Sequence, residues 1–369
     1  MRIHSVRAVP LRASFRETFR FGTTDRSTSP NVVLVLQTDE GVVGYGEACP
    51  VPAFTSETQA SIVELVETRI APVIVGRDPL DRLPLLDAVS RVLRFAPFTM
   101  AALDTPLLDL AGRALGVPVH ALLGGSFRTA IEVHGSVGWS EDPADMVRVA
   151  TEQAAVYRTL KLYAGRGDLR ADVQRLAAVR DAVGEDVGLF VDINGLWSPS
   201  DLVQALPWLA DIGIRLLEQP LPVQASAFQA HVVATGKVDV IGDESVRTVA
   251  DAAQVCTARS ATVLNVGHSK LGGPTAALAA AQLGLANGLG VMVGSVIEMG
   301  IANAMGLHLA AALPRLAHPA YLMGPMKYRE QITAEHVTVV DSCAAVPTGP
   351  GLGVNVDDDL LRALDARTS

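Results

Sequence analysis

The chain has 369 residues, 49% hydrophobic and 19% charged, with a formal charge of −9. That length holds a barrel of about 250 residues plus a second unit. The acidic balance and the lack of a basic block argue against nucleic acid as a partner. The start, Met1-Arg2-Ile3-His4, lacks the apolar core of a signal peptide. No apolar run approaches the ~20 residues of a membrane span, so a cytoplasmic protein with no membrane partner is expected. Cys49, Cys256 and Cys343 are too scattered for a disulfide framework or a metal cluster and read as buried free thiols. The low charge and many Ala and Leu residues suit a homo-oligomer.

Residues 1–50 alternate as strands do. One strand is expected over 2–11, and a hairpin over 31–38 and 42–48 around Asp39-Glu40-Gly41. Between them, 16–30 is polar and reads as a mobile loop. It closes over a substrate, with Arg20 or Arg26 gripping a carboxylate, or it is a plain solvated connection. Ser56 is the expected N-cap of the first helix, with Gln59 completing a capping box. Helices follow over 79–93 and 98–115, the second ending at Gly116. The run from Pro118 to Gly125 breaks the pattern, so residues 1–125 form an α+β unit.

From about residue 130 strands and helices alternate. Strands are expected at 131–137, 159–163, 187–192, 214–218, 238–243, 261–266 and 290–294. An eighth near 320–323 closes an α/β barrel over residues 126–328. Asp142-Pro143 and Ser198-Pro199 mark helix starts. Residues 329–369 return to a short strand (336–341) and a last helix (358–366). This tail is too short for a core of its own and should pack back on the N-terminal unit.

Three barrel strands end in acids: Asp192, Glu218 and Asp243. They are spaced 26 residues (192 to 218) and 25 residues (218 to 243), about one strand, one helix and two loops. All three therefore stand at the C-terminal ends of successive strands, the mouth where barrel enzymes keep their chemistry. A single such acid often only caps the next helix. Three together repel one another unless a cation binds, and an all-oxygen set favours a hard ion, Mg²⁺ or alternatively Mn²⁺.

The motifs Val-Asp192-Ile-Asn194, Glu218-Gln-Pro220 and Gly-Asp243-Glu244-Ser, in that order and spacing, resemble the enolase superfamily and, within it, the mandelate racemase/muconate lactonizing enzyme subgroup. The likeness covers nearly the whole chain. Asp39-Glu40-Gly41 and Gly44-Tyr45-Gly46-Glu47 resemble the family's N-terminal hairpin, residues 101–125 its helix leading into a Leu-Leu-Gly-Gly joint, and Gly272-Gly273 and Glu298 also fit. The resemblance implies a capping α+β domain over a modified TIM barrel, (β/α)₇β. It implies Mg²⁺ held by Asp192, Glu218 and Asp243, and removal of the proton α to a substrate carboxylate, with the metal stabilising the enediolate. The physical case is independent: loss of that proton puts a second negative charge on the substrate, and a divalent ion lowers the cost.

The proton-transfer groups depart from the family. The subgroup carries Lys-x-Lys at the end of the second barrel strand; Lys161-Leu162-Tyr163 keeps the first lysine and replaces the second. Alternation points Lys161 and Tyr163 to one face. The subgroup also carries a lysine five residues before the glycine pair, where this chain has Gly267, followed by His268 and Lys270. The candidate catalytic residues are Lys161, Tyr163 and His268. Tyr163 is a base if Lys161 and a metal lower its pKa, or else a hydrogen-bonding wall. Lys161 moves protons or only binds the substrate carboxylate. His268 reaches over the site or caps a helix. Asn194, Glu244, Lys270, Glu298, Arg20 and Arg26 are grouped as substrate-binding or supporting residues. Of these, Lys270 reads as facing outward or neutralising a helix end. Glu244 lacks the sixth-strand group that often pairs with its counterpart in the family. His134, Ser136, Trp139, Trp197, Tyr321 and Met323 are candidates for pocket wall.

Two-base racemisation needs groups on both faces of the α-carbon. With Gly267 in place of a lysine, elimination or cycloisomerisation on one face is favoured. The expected function is thus a lyase, dehydratase or cycloisomerase acting on a small carboxylate. A racemase or epimerase of an amino-acid or hydroxy-acid derivative is the alternative. A barrel that binds metal and ligand without turnover is a third reading.

Overall fold

The protein is described from a computed structural model covering residues 1–367. Five strands open the chain: β1 (Ile3–Pro10), β2 (Ala13–Phe21), β3 (Thr24–Ser29), β4 (Val32–Thr38) and β5 (Val43–Ala48). The sheet β1-β4-β5 is antiparallel. Val32, Leu34 and Leu36 on β4 alternate onto a core that takes Ile62, Leu85, Val89 and Phe98 from the helices behind. The helix Pro97–Leu115 is buried along most of its length, and ends at Gly116 with φ +70°, as the sequence predicts. A Cβ on Gly44 would come within 2.6 Å of the Pro106 carbonyl, so β5 lies on this helix only because glycine stands there.

Two expectations are corrected here. The first helix starts at Gln59 with Thr58 as its N-cap and Ser61 completing the box, not with Ser56 and Gln59. The larger correction concerns residues 16–30, which are not a loop. β2 and β3 form an antiparallel hairpin whose Phe15 and Phe19 are buried. The alternation Phe19-Arg20-Phe21 carried that signal beneath the charge.

The next strands are β6 (Ala130–Glu132), outside the barrel, and the barrel strands β7 (Gly135–Val137), β8 (Thr159–Tyr163), β9 (Gly188–Asp192), β10 (Leu216–Glu218), β11 (Asp239–Gly242), β12 (Val263–Asn265) and β13 (Gly290–Met292). β7 to β13 lie parallel in chain order. The predicted first strand is split: β6 leaves the barrel and pairs with Cys343–Ala345 of the C-terminal segment. In place of a full eighth strand, Ala320 and Tyr321 bridge the gap. The His134 N–H donates to Ala320 O (3.1 Å) and the Tyr321 N–H to Val293 O (2.9 Å). Phe190, Ile241, Val263 and Met292 form a separate apolar cluster, with Phe190 two residues before Asp192 and Ile241 two residues before Asp243. The tail returns to the N-terminal unit, where the Arg12 N–H donates to Leu364 O (2.9 Å). Among the described residues no helix is long and apolar enough to cross a membrane, and Cys49, Cys256 and Cys343 are free.

Glu47 ties cap to barrel. Its buried carboxylate accepts from Asn31 Nδ2 (2.7 Å), Met299 N (2.7 Å) and Ala302 N (3.0 Å), the last two at the start of the helix Gly300–Ala312.

Candidate active site

Strand register assembles the mouth. Tyr163 pairs with Asp192, Asp192 with Glu218, and Glu218 with Ile241, two residues short of Asp243. Register partners point the same way, so Tyr163, Asp192, Glu218 and Asp243 face one space. All four are buried. Burial pushes Glu218 up to about 7, with Asp192 and Asp243 adding to it against the pull of Lys161. Burial also raises Asp192, again with Asp243 adding to it. The carboxylates therefore repel one another.

Two ammonium groups stand among them. Lys161 Nζ donates to Asp192 Oδ2 (3.0 Å) and Glu218 Oε2 (3.1 Å). Lys270 Nζ donates to Asp243 Oδ1 (2.6 Å) and to the Asp243 carbonyl (2.7 Å). Burial alone would lower the Lys161 amine, but Glu218, Tyr163 and Asp192 carry it well above its ordinary value. The other carboxylate oxygens are fixed locally: Asp192 Oδ1 by the Asn194 N–H (3.0 Å) and Glu218 Oε1 by Asn265 Nδ2 (2.9 Å). Asn265 was missed by the sequence reading, although its place two residues before Gly267 on an inward-facing strand was the available signal.

The predicted proton-transfer residues fare differently. Tyr163 packs edge-on to Phe19 (5.4 Å) and near Phe21 (6.0 Å). Lys161 pulls its phenol down, while burial outweighs the lysine and holds it well above the ordinary value. His268 is buried, with neither ring nitrogen bonded, and burial lowers its pKa against the opposing fields of Glu298 and Asp104. Its charged neighbours are thus those two and not the three acids. Lys270, by contrast, does not face outward. Its Cε lies 3.7 Å from where a Gly267 Cβ would stand, so the missing side chain leaves its path open.

Of the supporting candidates, Asn194 Nδ2 donates to Glu244 Oε1 (3.1 Å). Burial, with Asp243 and Asp192, pushes Glu244 well up. Glu298 is spent on Ser269 Oγ (2.6 Å), the Val296 N–H (3.0 Å) and Ser295. Arg26 is buried and donates to Val296 O (2.8 Å) and Ser29 Oγ (2.6 Å), so it anchors the hairpin instead of reaching a ligand. Arg20 pairs with Asp25 (3.3 Å) on the surface. His134 stacks on Tyr321, Ser136 bonds the Tyr321 hydroxyl (3.0 Å), and Met323 is buried. Trp139 lies against Arg166 and Arg175, and Trp197 is buried.

Phe21, Val51, Phe54, Tyr163, Val296 and Ile297 wall a cavity of about 30 Å³ that also touches Lys161, Asp192, Asn194 and Asp243. That is about one water's share of liquid, and Phe21 of the β2–β3 hairpin closes one side of it. Among the described residues no three His, Cys, Asp or Glu side chains are drawn close enough to hold a metal. The donor set nonetheless suits a hard divalent cation. Three buried carboxylates gathered at one mouth require positive charge, and two ammonium groups supply it.

A capping α+β unit over a seven-stranded parallel barrel, with carboxylates ending consecutive strands, defines an enolase-type enzyme. Residues 4–124 match the mandelate racemase/muconate lactonizing enzyme N-terminal domain, and residues 145–360 match the enolase C-terminal domain-like family. The chain belongs to the muconate lactonizing enzyme subgroup of the enolase superfamily and is an isomerase or lyase of that superfamily. Muconate cycloisomerase 1 of Rhodococcus opacus is 30% identical over 93% of both chains. The hydrophobic dipeptide epimerase of Enterococcus faecalis is 32% identical over 85% of this chain and 88% of its own. The muconate lactonizing enzyme of Pseudomonas fluorescens, solved with muconolactone, superposes with a TM-score of 0.95 at 27% identity, covering 98% of this chain and 99% of that one.

Proposed function

We propose that this enzyme removes the proton α to the carboxylate of a small substrate and turns over as a one-face lyase, dehydratase or cycloisomerase. The observation that carries this reading is Lys161, whose amine bridges Asp192 and Glu218 inside the arc of three buried acids. Asp192, Glu218 and Asp243 would hold Mg²⁺, which when bound supplies the positive charge that a doubly anionic substrate needs. Relieved of those carboxylates, Lys161 Nζ takes the α-proton, the electron pair left on the α-carbon breaks the bond from the β-carbon to the leaving group (the ring carboxylate, where the substrate is a lactone), and Lys161 hands the proton to that group on the same face. Phe21, Phe54 and Tyr163 hold the apolar body of the substrate, and the closed hairpin keeps water out.

The test is α-proton exchange in D₂O, followed by NMR over a carboxylate library that includes muconolactone, with and without Mg²⁺. Mg²⁺-dependent exchange that is lost in Lys161→Met is expected. No exchange from any member would contradict the reading. Lys270 favours a second reading, racemisation or epimerisation, because its amine enters the arc from the β12 side, away from Lys161. In that case Lys161→Met and Lys270→Met would each abolish exchange from one enantiomer only.

A further inference from the structure

The helix Gly300–Ala312 is buried along its whole length and carries two polar side chains, Asn303 and His308. His308 is satisfied. Its Nδ1 accepts from the His120 N–H (3.3 Å) and its Nε2 donates to Leu352 O (3.0 Å). Asn303 is not. It is 2% exposed, and among the described residues neither its Oδ1 nor its Nδ2 has a hydrogen-bond partner. Buried amides are normally paired, so this one calls for a partner from outside the chain.

A cavity of about 310 Å³ lies against it, between the helix and the C-terminal segment. Gly300, Asn303, Ala304 and Leu307 line it from the helix. They stand at i, i+3, i+4 and i+7, which is one face, so the Asn303 side chain leaves the helix toward the cavity. Val337, Val346 and Val354 line it from the segment. Hydrogen bonds fix these walls. The Val346 N–H donates to Thr129 O (2.9 Å), and the Glu335 carboxylate accepts from Asn355 N and Nδ2 (2.7 Å each). Among the described residues no side chain lines both this cavity and the one at the acid arc.

The lining sets the charge and the shape of an occupant. Among the described residues no lysine or arginine lines the cavity. Its carboxylate, Glu335, has both oxygens bonded to Asn355, and His336 is exposed to solvent. An ion would leave water here without a counter-charge. Asn303 presents an acceptor and a donor side by side, and the complement is a group with N–H and C=O side by side. A carboxylate lacks the donor, an ammonium lacks the acceptor, and a ketone or ester lacks the N–H. A primary amide or a lactam has both, and the valines and Leu307 take an apolar body.

We infer that this cavity is a binding site, separate from the acid arc, for a small neutral molecule with a primary amide or lactam edge on an apolar body, recognised by Asn303.

The probe is ε-caprolactam, titrated into the full-length protein and followed by ligand-observed NMR. Cycloheptanone and N-methylcaprolactam, which keep a ring and a carbonyl but lack the N–H, are the controls. Caprolactam should bind at least about tenfold more tightly than either. Asn303→Leu should bring that preference to within about threefold, with an unfolding temperature at the wild-type value or above, because an apolar side chain leaves no polar group unpaired. Ala304→Met, which keeps the amide and fills the space beside it, should abolish caprolactam binding. Crystals soaked in caprolactam should show its lactam edge on Asn303. Equal binding of the three probes, no binding of caprolactam, or a preference that survives Asn303→Leu would overturn the inference. So would undiminished binding in Ala304→Met, or density at the acid arc only.

Discussion

At β9, β10 and β11 the place of each carboxylate follows from backbone register: Asp192 pairs with Glu218, and Asp243 extends the next strand by two residues. At the end of β12 register decides little. Gly267 ends the strand without a side chain, and the amine arrives instead from Lys270, on the helical turn His268–Leu271 that follows. The first region repeats the family pattern, while the second reaches the same space by another route. The contrast separates what the barrel must do, which is gather negative charge, from what selects the reaction, which is the set of groups placed around that charge.

Substitutions can break or sharpen this contrast, beginning with the arc. Asp192→Asn, Glu218→Gln and Asp243→Asn should each abolish Mn²⁺ binding at micromolar metal and lower α-proton exchange by at least about a thousandfold, read by calorimetry and NMR. Next in size, Lys161→Met should lower exchange by about 10²–10⁴-fold while Mn²⁺ still binds, the range for loss of a general base. On the β12 side, Lys270→Met should change exchange by less than about tenfold if one face suffices. A loss confined to one enantiomer would move the enzyme to the epimerase reading. Tyr163→Phe and His268→Ala should stay within about threefold, since the phenol is held protonated by burial and the imidazole has other neighbours.

Glu47 gives a pH-dependent counterpart at the joint between cap and barrel. Burial raises its carboxyl to about 7 from 4.5, against the N–H donors of Ala302 and Met299. The folded state therefore binds this proton more tightly than the unfolded chain, so the contribution of Glu47 is most favourable below pH ~4.5 and falls as pH rises to ~7. Wild type should lose on the order of 2–3 kcal/mol relative to Glu47→Gln between pH 5 and pH 8, measured by urea unfolding. A difference independent of pH would show that Glu47 does not titrate in that window.

The barrel was legible because β-strand length and the recurrence of Asp192, Glu218 and Asp243 are local signals. The hairpin at 13–29 was not: Arg16, Arg20 and Arg26 masked the alternation of Phe15, Phe19 and Phe21, and burial of Arg26 needs Val296 and Cys49 from distant parts of the chain. The end of β12 was half legible. Gly267 could be found by counting, but the direction of Lys270 depends on a helical turn that begins at the very next residue. His268 opens that turn, and one step around it points a side chain in a different direction.

In the proposed cation site, Lys161 and Lys270 balance the carboxylate arc. Crystals soaked in Mn²⁺ and measured at the manganese edge test it most directly. An anomalous peak bonded to oxygens of Asp192, Glu218 and Asp243, with Lys161 Nζ withdrawn from both of its present partners, is the expected result. A peak elsewhere, or both lysines still seated on the acids at saturating Mn²⁺, would contradict it.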